Sequence, residues 1–106
     1  MFVEGIAFIL PLEAGGSALA ITPRDGSYRP FARRREGGPL LRLCFIEGPP
    51  RLSPGEMARV VVEIEPGPGT DIALVPGSEL ELIEWEPSAI GVLTVSRVWR
   101  DIAISA

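Results

Sequence analysis

The sequence predicts an all-β domain of six strands that close into a barrel. Twelve glycines and 11 prolines are spread along the 106 residues and divide the chain into short segments. Those segments are rich in β-branched and other apolar residues, and none shows the 3.6-residue period of an amphipathic helix. Six strands of this length would leave two unprotected edges in an open sheet, whereas closure into a barrel removes them.

A single domain over residues 1–106 accounts for the whole chain. The length lies near the common size of a domain. Apolar residues make up 46% of the chain and charged residues 23%, which is the balance of an ordinary globular protein with one core. Intrinsic disorder is therefore not expected.

The first predicted strand is Val3–Leu10, an apolar run that a proline ends. The connection that follows contains a Gly-Gly pair and is too long for a hairpin turn, which leaves room for a short additional strand at Ala18–Thr22. The second strand is predicted at Tyr28–Arg35, before a turn at Gly37-Gly38.

The third predicted strand, Leu40–Glu47, alternates apolar with more polar residues. In the segment GPPRLSPGE that follows, the prolines exclude regular ladder pairing, and Pro54-Gly55 is typical of a type II turn. The valine-rich run MARVVVEI predicts the fourth strand at Met57–Ile64. The segment EPGPGTD, residues 65–71, is predicted to be an exposed loop.

The apolar segment IALV, residues 72–75, either covers one end of the barrel or forms an exposed patch. The fifth strand is predicted at Glu79–Trp85, where leucine and glutamate alternate. The sixth is predicted at Ile90–Trp99, with Ile102–Ile104 as an extension.

Four landmarks occur in order along the chain. They are AFILPLEAGG, SYRPFARR, LSPGEMARVVVEIEP, and the pair IALVPGSELELIE and IGVLTVSRV. Their order and spacing resemble the C-terminal β-barrel domain, domain 3, of the translation elongation factor Tu family. They are similar to its first strand with a Gly-Gly pair, its Gly-Tyr-Arg-Pro-Gln-Phe segment, its Met-Pro-Gly-Asp turn with a valine-rich strand, and its last two strands. The resemblance covers about residues 3–99 and implies a six-stranded antiparallel Greek-key barrel.

The departures from that family concern its nucleotide and RNA sites. The chain has no Gly-x-x-x-x-Gly-Lys segment, which excludes a GTP site of that type. In the family, the last hairpin lies near bound aminoacyl-tRNA and carries arginines in a Gly-rich turn. Here IEWEPSAIGVL, residues 83–93, keeps Glu84 and Gly91 but has Trp85 and Pro87 in place of the flexible turn. The resemblance therefore implies a stand-alone barrel without the GTPase, and the altered hairpin argues against inherited tRNA binding.

Four of the ten basic residues, all of them arginine, lie in GSYRPFARRREGG, residues 26–38. Because successive strand residues point to opposite faces, Arg33 and Arg35 share one face and Arg34 lies on the other. These side chains form a solvated or edge-protecting face, a contact with a protein, or a contact with RNA phosphates. The net charge of −4 argues against non-specific binding of nucleic acid.

Glu79 and Glu81 are neighbours on one face of the fifth strand. Such a pair serves acid–base chemistry, holds a metal, forms a solvated face opposite the arginines of a neighbouring strand, or docks a protein. Trp85, between two glutamates, is predicted either at the edge of the core or in contact with a partner. Trp99 is predicted to pack against the barrel.

The composition removes several kinds of chemistry. The chain has no histidine, the commonest general base near neutral pH and the commonest metal ligand. Its single cysteine excludes an internal disulfide and a multi-cysteine zinc site. Because a nucleophilic cysteine needs a base, Cys44 is predicted to be a buried or half-buried spacer. We therefore expect no enzyme activity, no cofactor, no metal and no small-molecule substrate.

The leading expectation is a non-enzymatic protein-interaction module, with Arg33, Arg35, Glu79, Glu81 and Trp85 as the partner contacts. The alternative is a module that binds RNA or tRNA. A cytoplasmic location is expected because MFVEGIAFIL lacks a basic region in front of its apolar run, and no run approaches the roughly 20 apolar residues of a membrane-spanning helix.

Overall fold

Six antiparallel strands form one closed sheet. The computed structural model describes residues 1–11, 20–24, 26, 28–65, 73–85 and 88–99, and no helix occurs among them. The strands are β1 (Phe2–Ile9), β2 (Phe31–Arg34), β3 (Leu41–Glu47), β4 (Met57–Glu65), β5 (Glu79–Trp85) and β6 (Ser88–Trp99).

The order of the strands around the barrel is β1-β4-β3-β2-β5-β6, and β6 closes onto β1. Strands β2, β3 and β4 are consecutive neighbours, and β1 lies beside β4 rather than beside β2. Three consecutive strands with the remaining one next to the first or last of them is the Greek-key arrangement. The predicted fold class, an all-β barrel of six antiparallel strands, is confirmed.

The core is built from the inward-facing residues of alternating strands. On β3 and β4 every second side chain is buried, and on β5 the leucines are buried while the glutamates between them are not. Among the described residues, no polar or charged side chain is fully buried. The charged groups therefore lie on the outer wall, where the candidate site is found.

The second strand is the one whose predicted bounds were wrong. It covers Phe31–Arg34 instead of Tyr28–Arg35. Proline 30 has no backbone N–H to give to a ladder, so pairing begins one residue later. The chain before it still follows β3, since the Tyr28 ring stacks on that of Phe45 with centroids 6.0 Å apart.

The connections follow the predicted turn chemistry where the structure describes them. The amide of Glu56 donates to the carbonyl of Ser53 at 3.0 Å, and Gly55 has a φ of 85°, as a type II turn requires. Of the additional strand predicted at Ala18–Thr22, residues 18 and 19 lie outside the described part, and Ile21 forms an isolated bridge with Leu52.

The segment before β5 only partly covers the barrel. Leu74 is buried there, whereas Val75 is 59% exposed. The loop predicted after residue 65 and the extension predicted at Ile102–Ile104 lie outside the described residues, apart from Glu65 itself, which ends β4.

Candidate functional site

The strands β2 and β5 bring four of the five predicted site residues together. They are antiparallel neighbours, and their register places Arg33 opposite Glu81. One guanidinium nitrogen, Nη2 of Arg33, lies 3.7 Å from Oε1 of Glu81. The predicted opposition of arginines and glutamates on neighbouring strands is therefore present.

A second pair lies one step along the same face. Nη1 of Arg35 is 3.3 Å from Oε1 of Glu79, and the amide of Arg35 donates to the carbonyl of Glu79 at 3.2 Å. The pairs Arg33–Glu81 and Arg35–Glu79 form two rungs on the outer wall, and together we call them the Arg–Glu ladder. This ladder is an ordered surface because backbone pairing fixes both strands that carry it.

Arg34 does not belong to the Arg–Glu ladder. Its register partner is the buried Leu80, and its Nε donates to Oε1 of Glu36 at 2.8 Å. A backbone hydrogen bond, and then the Arg34 guanidinium, hold the pKa of Glu36 below its usual value. The three consecutive arginines thus do not form one basic patch, as the alternation along the strand predicts.

The electrostatic character of the ladder is neutral overall. Each arginine faces one carboxylate, and the four side chains are between 24% and 54% exposed. Ion pairs this exposed contribute about 0–1 kcal/mol each to stability. The ladder is therefore a surface whose charges a partner can exchange for its own at little cost to the fold.

The two tryptophans lie at strand ends. Trp85 ends β5, where its backbone pairs with Ser88, and its side chain lies outside the described part of the structure. Trp99 lies opposite Phe2 at the end of β6 and is 36% exposed, with the guanidinium carbon of Arg97 5.2 Å from its ring centroid. Packing of Trp99 is therefore incomplete, and a cation–π contact covers part of the ring.

Sequence reasoning missed a second charged arrangement, which spans four strands. Nε of Arg59 on β4 donates to Glu4 on β1, and its Nη1 lies 3.5 Å from Oε2 of Glu47 on β3. Nε of Arg97 on β6 lies 3.9 Å from the other oxygen of Glu4. The hydrogen bond from Arg59 to Glu4, and then the charge of Glu4, raise the pKa of Arg59. This network ties together the strands β6, β1, β4 and β3.

A third feature is a depression of about 220 Å³ on the outer wall across β2, β3 and β4. Arg42, Glu63 and Glu65 line it on β3 and β4, with Arg29 and Phe31 on the side of β2. Cys44 lies in it and is half-buried, as predicted. We call this feature the β3 depression. Alternation on β3 and β4 is the signal that places these side chains outward, but the neighbouring of the two strands comes only from the fold.

The hydroxyl of Tyr28 is the one buried side-chain polar atom without a hydrogen-bond partner among the described residues. Burial, and then the carboxylate of Glu84, raise the pKa of this hydroxyl. The carboxylate is thus near enough to act on the phenol, although the two do not meet in hydrogen-bonding geometry. Its consequence is for stability rather than for a site.

No family model matches the chain, and no curated protein matches its sequence. Within the residues that the structure describes, no helix has the length and hydropathy needed to cross a membrane. The same residues contain no cluster of three or more cysteine, aspartate or glutamate side chains arranged to hold a metal ion.

Proposed function

We propose that the chain is a non-catalytic β-barrel module that binds another protein through the face of the Arg–Glu ladder. The observation that supports this is the pairing of Arg33 with Glu81 and of Arg35 with Glu79 on an exposed wall. Protein interfaces combine charges of both signs at their rims, where electrostatic complementarity selects the partner. Trp85, at the end of β5, is proposed as a further contact.

Binding of RNA is the weaker proposal for the same face. Affinity for phosphates grows with the number of cations that are free to neutralise them. Here the two outward arginines already face carboxylates, so a phosphate would first have to displace a glutamate that stays nearby. A protein partner with its own acidic and basic groups pairs with both halves of each rung.

We also propose that the module is a stand-alone relative of the C-terminal domain of elongation factor Tu that acts in the cytoplasm. The Greek-key order of six strands supports the relationship, and the strands fall where the four landmarks predict them. The free, half-buried Cys44 is in keeping with a reducing compartment.

The test is to capture partners with a variant whose ladder is reversed. The substitutions R33E, R35E, E79R and E81R keep both ion pairs and the net charge but invert the pattern that a partner would meet. Extracts of the native host are passed over the wild type and over this variant. We expect a stoichiometric protein that the wild type retains and the reversed ladder loses.

The control is a variant with the same number of charge changes away from the ladder, R51E, R97E, E4R and E56R. It should retain the partner if the ladder is the contact. No stoichiometric protein on the wild type, or equal capture by the reversed ladder, would contradict the proposal. Filter binding with total tRNA distinguishes the RNA alternative, which predicts binding that collapses as salt rises.

A further inference from the structure

The β3 depression has charges of opposite sign on its two sides. Arg29 precedes β2 and Arg42 lies on β3, whereas Glu63 and Glu65 both lie on β4. Because neighbouring strands are about 4.8 Å apart, the basic and acidic sides are separated by about 5–10 Å. The patch is therefore a surface dipole with no net formal charge.

These charges are not neutralised within the described part of the chain. Arg42 and Glu65 lie directly opposite each other in the register of β3 and β4, yet they form no ion pair, and neither Glu63 nor Glu65 has a charged partner there. Arg29 makes only a 3.3 Å hydrogen bond to the carbonyl of Gly26. The Arg–Glu ladder is satisfied internally, whereas the groups of the β3 depression remain available to another molecule.

We infer that the β3 depression is a contact surface for a second copy of the same chain. A two-fold axis normal to the wall places the basic side of one copy over the acidic side of the other, twice. Such a patch is complementary to itself, as an isologous interface requires. A purely acidic or purely basic partner would instead be attracted by one half of the patch and repelled by the other.

The centre of the depression suits this arrangement. Phe31 is 40% exposed and Cys44 is half-buried, so the least polar groups lie between the two charged sides. A less polar centre with a charged rim is the usual anatomy of an interface. Because the patch is small and its rim is charged, the dimer is expected to be weak and sensitive to salt.

The experiment uses two variants that each make the patch a single sign. R29E with R42E makes it acidic, and E63R with E65R makes it basic. The mass of each is measured by sedimentation equilibrium at about 0.15 M ionic strength, where the Debye length of about 8 Å screens the repulsion between two acidic chains. We expect the wild type to dimerise, each variant alone to be monomeric, and an equimolar mixture to form a heterodimer.

The dimer of the wild type should dissociate at about 1 M salt, where the Debye length is about 3 Å. The reversed ladder is the matched control and should dimerise like the wild type. Circular dichroism of each variant establishes that it is folded. A wild type that stays monomeric at the highest soluble concentration, or variants that dimerise alone as well as the wild type does, would overturn the inference. Because the assay uses purified protein alone, its outcome is independent of whether the ladder binds another protein.

Discussion

Glycine 5 tests how the barrel closes. It lies at a β-bulge in β1, where the register with β6 shifts between Glu4 and Gly5. A Cβ atom built on Gly5 would lie 2.3 Å from the carbonyl oxygen of Thr94 and 3.0 Å from Cδ1 of Leu93. Since such contacts essentially never fall below 3.0 Å, Gly5→Ala has to push β1 and β6 apart by about 0.7 Å or break the local ladder.

The expected cost lies at the upper end of the range for overpacking, about 3 kcal/mol, because the obstructing atom belongs to the backbone and cannot rotate away. In a domain of about 100 residues this lowers Tm by on the order of 10–20 °C. Gly91→Ala is predicted to cost less, since its Cβ would lie 2.7 Å from the carbonyl oxygen of Phe8. Gly26→Ala meets nothing within 4 Å and is expected to change stability by less than about 0.5 kcal/mol.

The assay is urea unfolding followed by circular dichroism, with the change in free energy taken from the midpoint at a shared slope. The three variants should rank as Gly5, then Gly91, then Gly26, in order of destabilisation. A Gly5→Ala protein within about 0.5 kcal/mol of the wild type would show that β1 and β6 do not approach as closely as this register requires. An equal loss at Gly26 would show that the effect is general to glycine and not due to the strand contact.

Three further substitutions probe the core and the titrating groups. Tyr28→Phe removes a buried hydroxyl without a hydrogen bond and should stabilise the protein by about 1 kcal/mol in urea unfolding at pH 7. Because the folded pKa of Tyr28 is raised above its ordinary value of 10.0, the wild type should lose stability as pH rises past about 10, and the variant should lose less. Leu82→Ala should cost about 2–5 kcal/mol, since Leu82 is 1% exposed; a smaller shift of the urea midpoint would place it outside the core. Glu36→Gln should lower the midpoint at pH 7 but not near pH 3, because a carboxyl with a lowered folded pKa stabilises only above that pKa.

Much of the fold could be predicted because local signals and tertiary structure agree. In β5 the leucines and glutamates alternate with a period of two, and turn signals precede the strand, so its bounds Glu79–Trp85 were predicted correctly. In β2 the signals conflict. The run from Tyr28 is extended and follows β3, but Pro30 cannot donate to a ladder, and the regular strand begins at Phe31.

The site could be predicted only as far as alternation reaches. It places Arg33 and Arg35 on one face, but it does not say which strand lies beside them. The network around Arg59 joins Glu4 and Glu47, which are 43 positions apart. Its geometry depends on register shifts in the pairing of β1 with β6 and of β3 with β4. A bulge changes which side chains meet without a strong signal in the sequence, so no pattern along the chain announces this network.

Opposite register alone does not make an ion pair. Arg33 and Glu81 are directly opposite and interact, whereas Arg42 and Glu65 are also directly opposite and do not. Double-mutant cycles with alanine should therefore give a coupling energy of about 0.2–1 kcal/mol for the first pair and about zero for the second, both measured on dilute protein. If the second pair acts between copies, its coupling should appear only at concentrations at which the protein self-associates. A coupling that is equal at all concentrations would mean that Arg42 and Glu65 pair within one chain in solution, which would leave the β3 depression without its surface dipole.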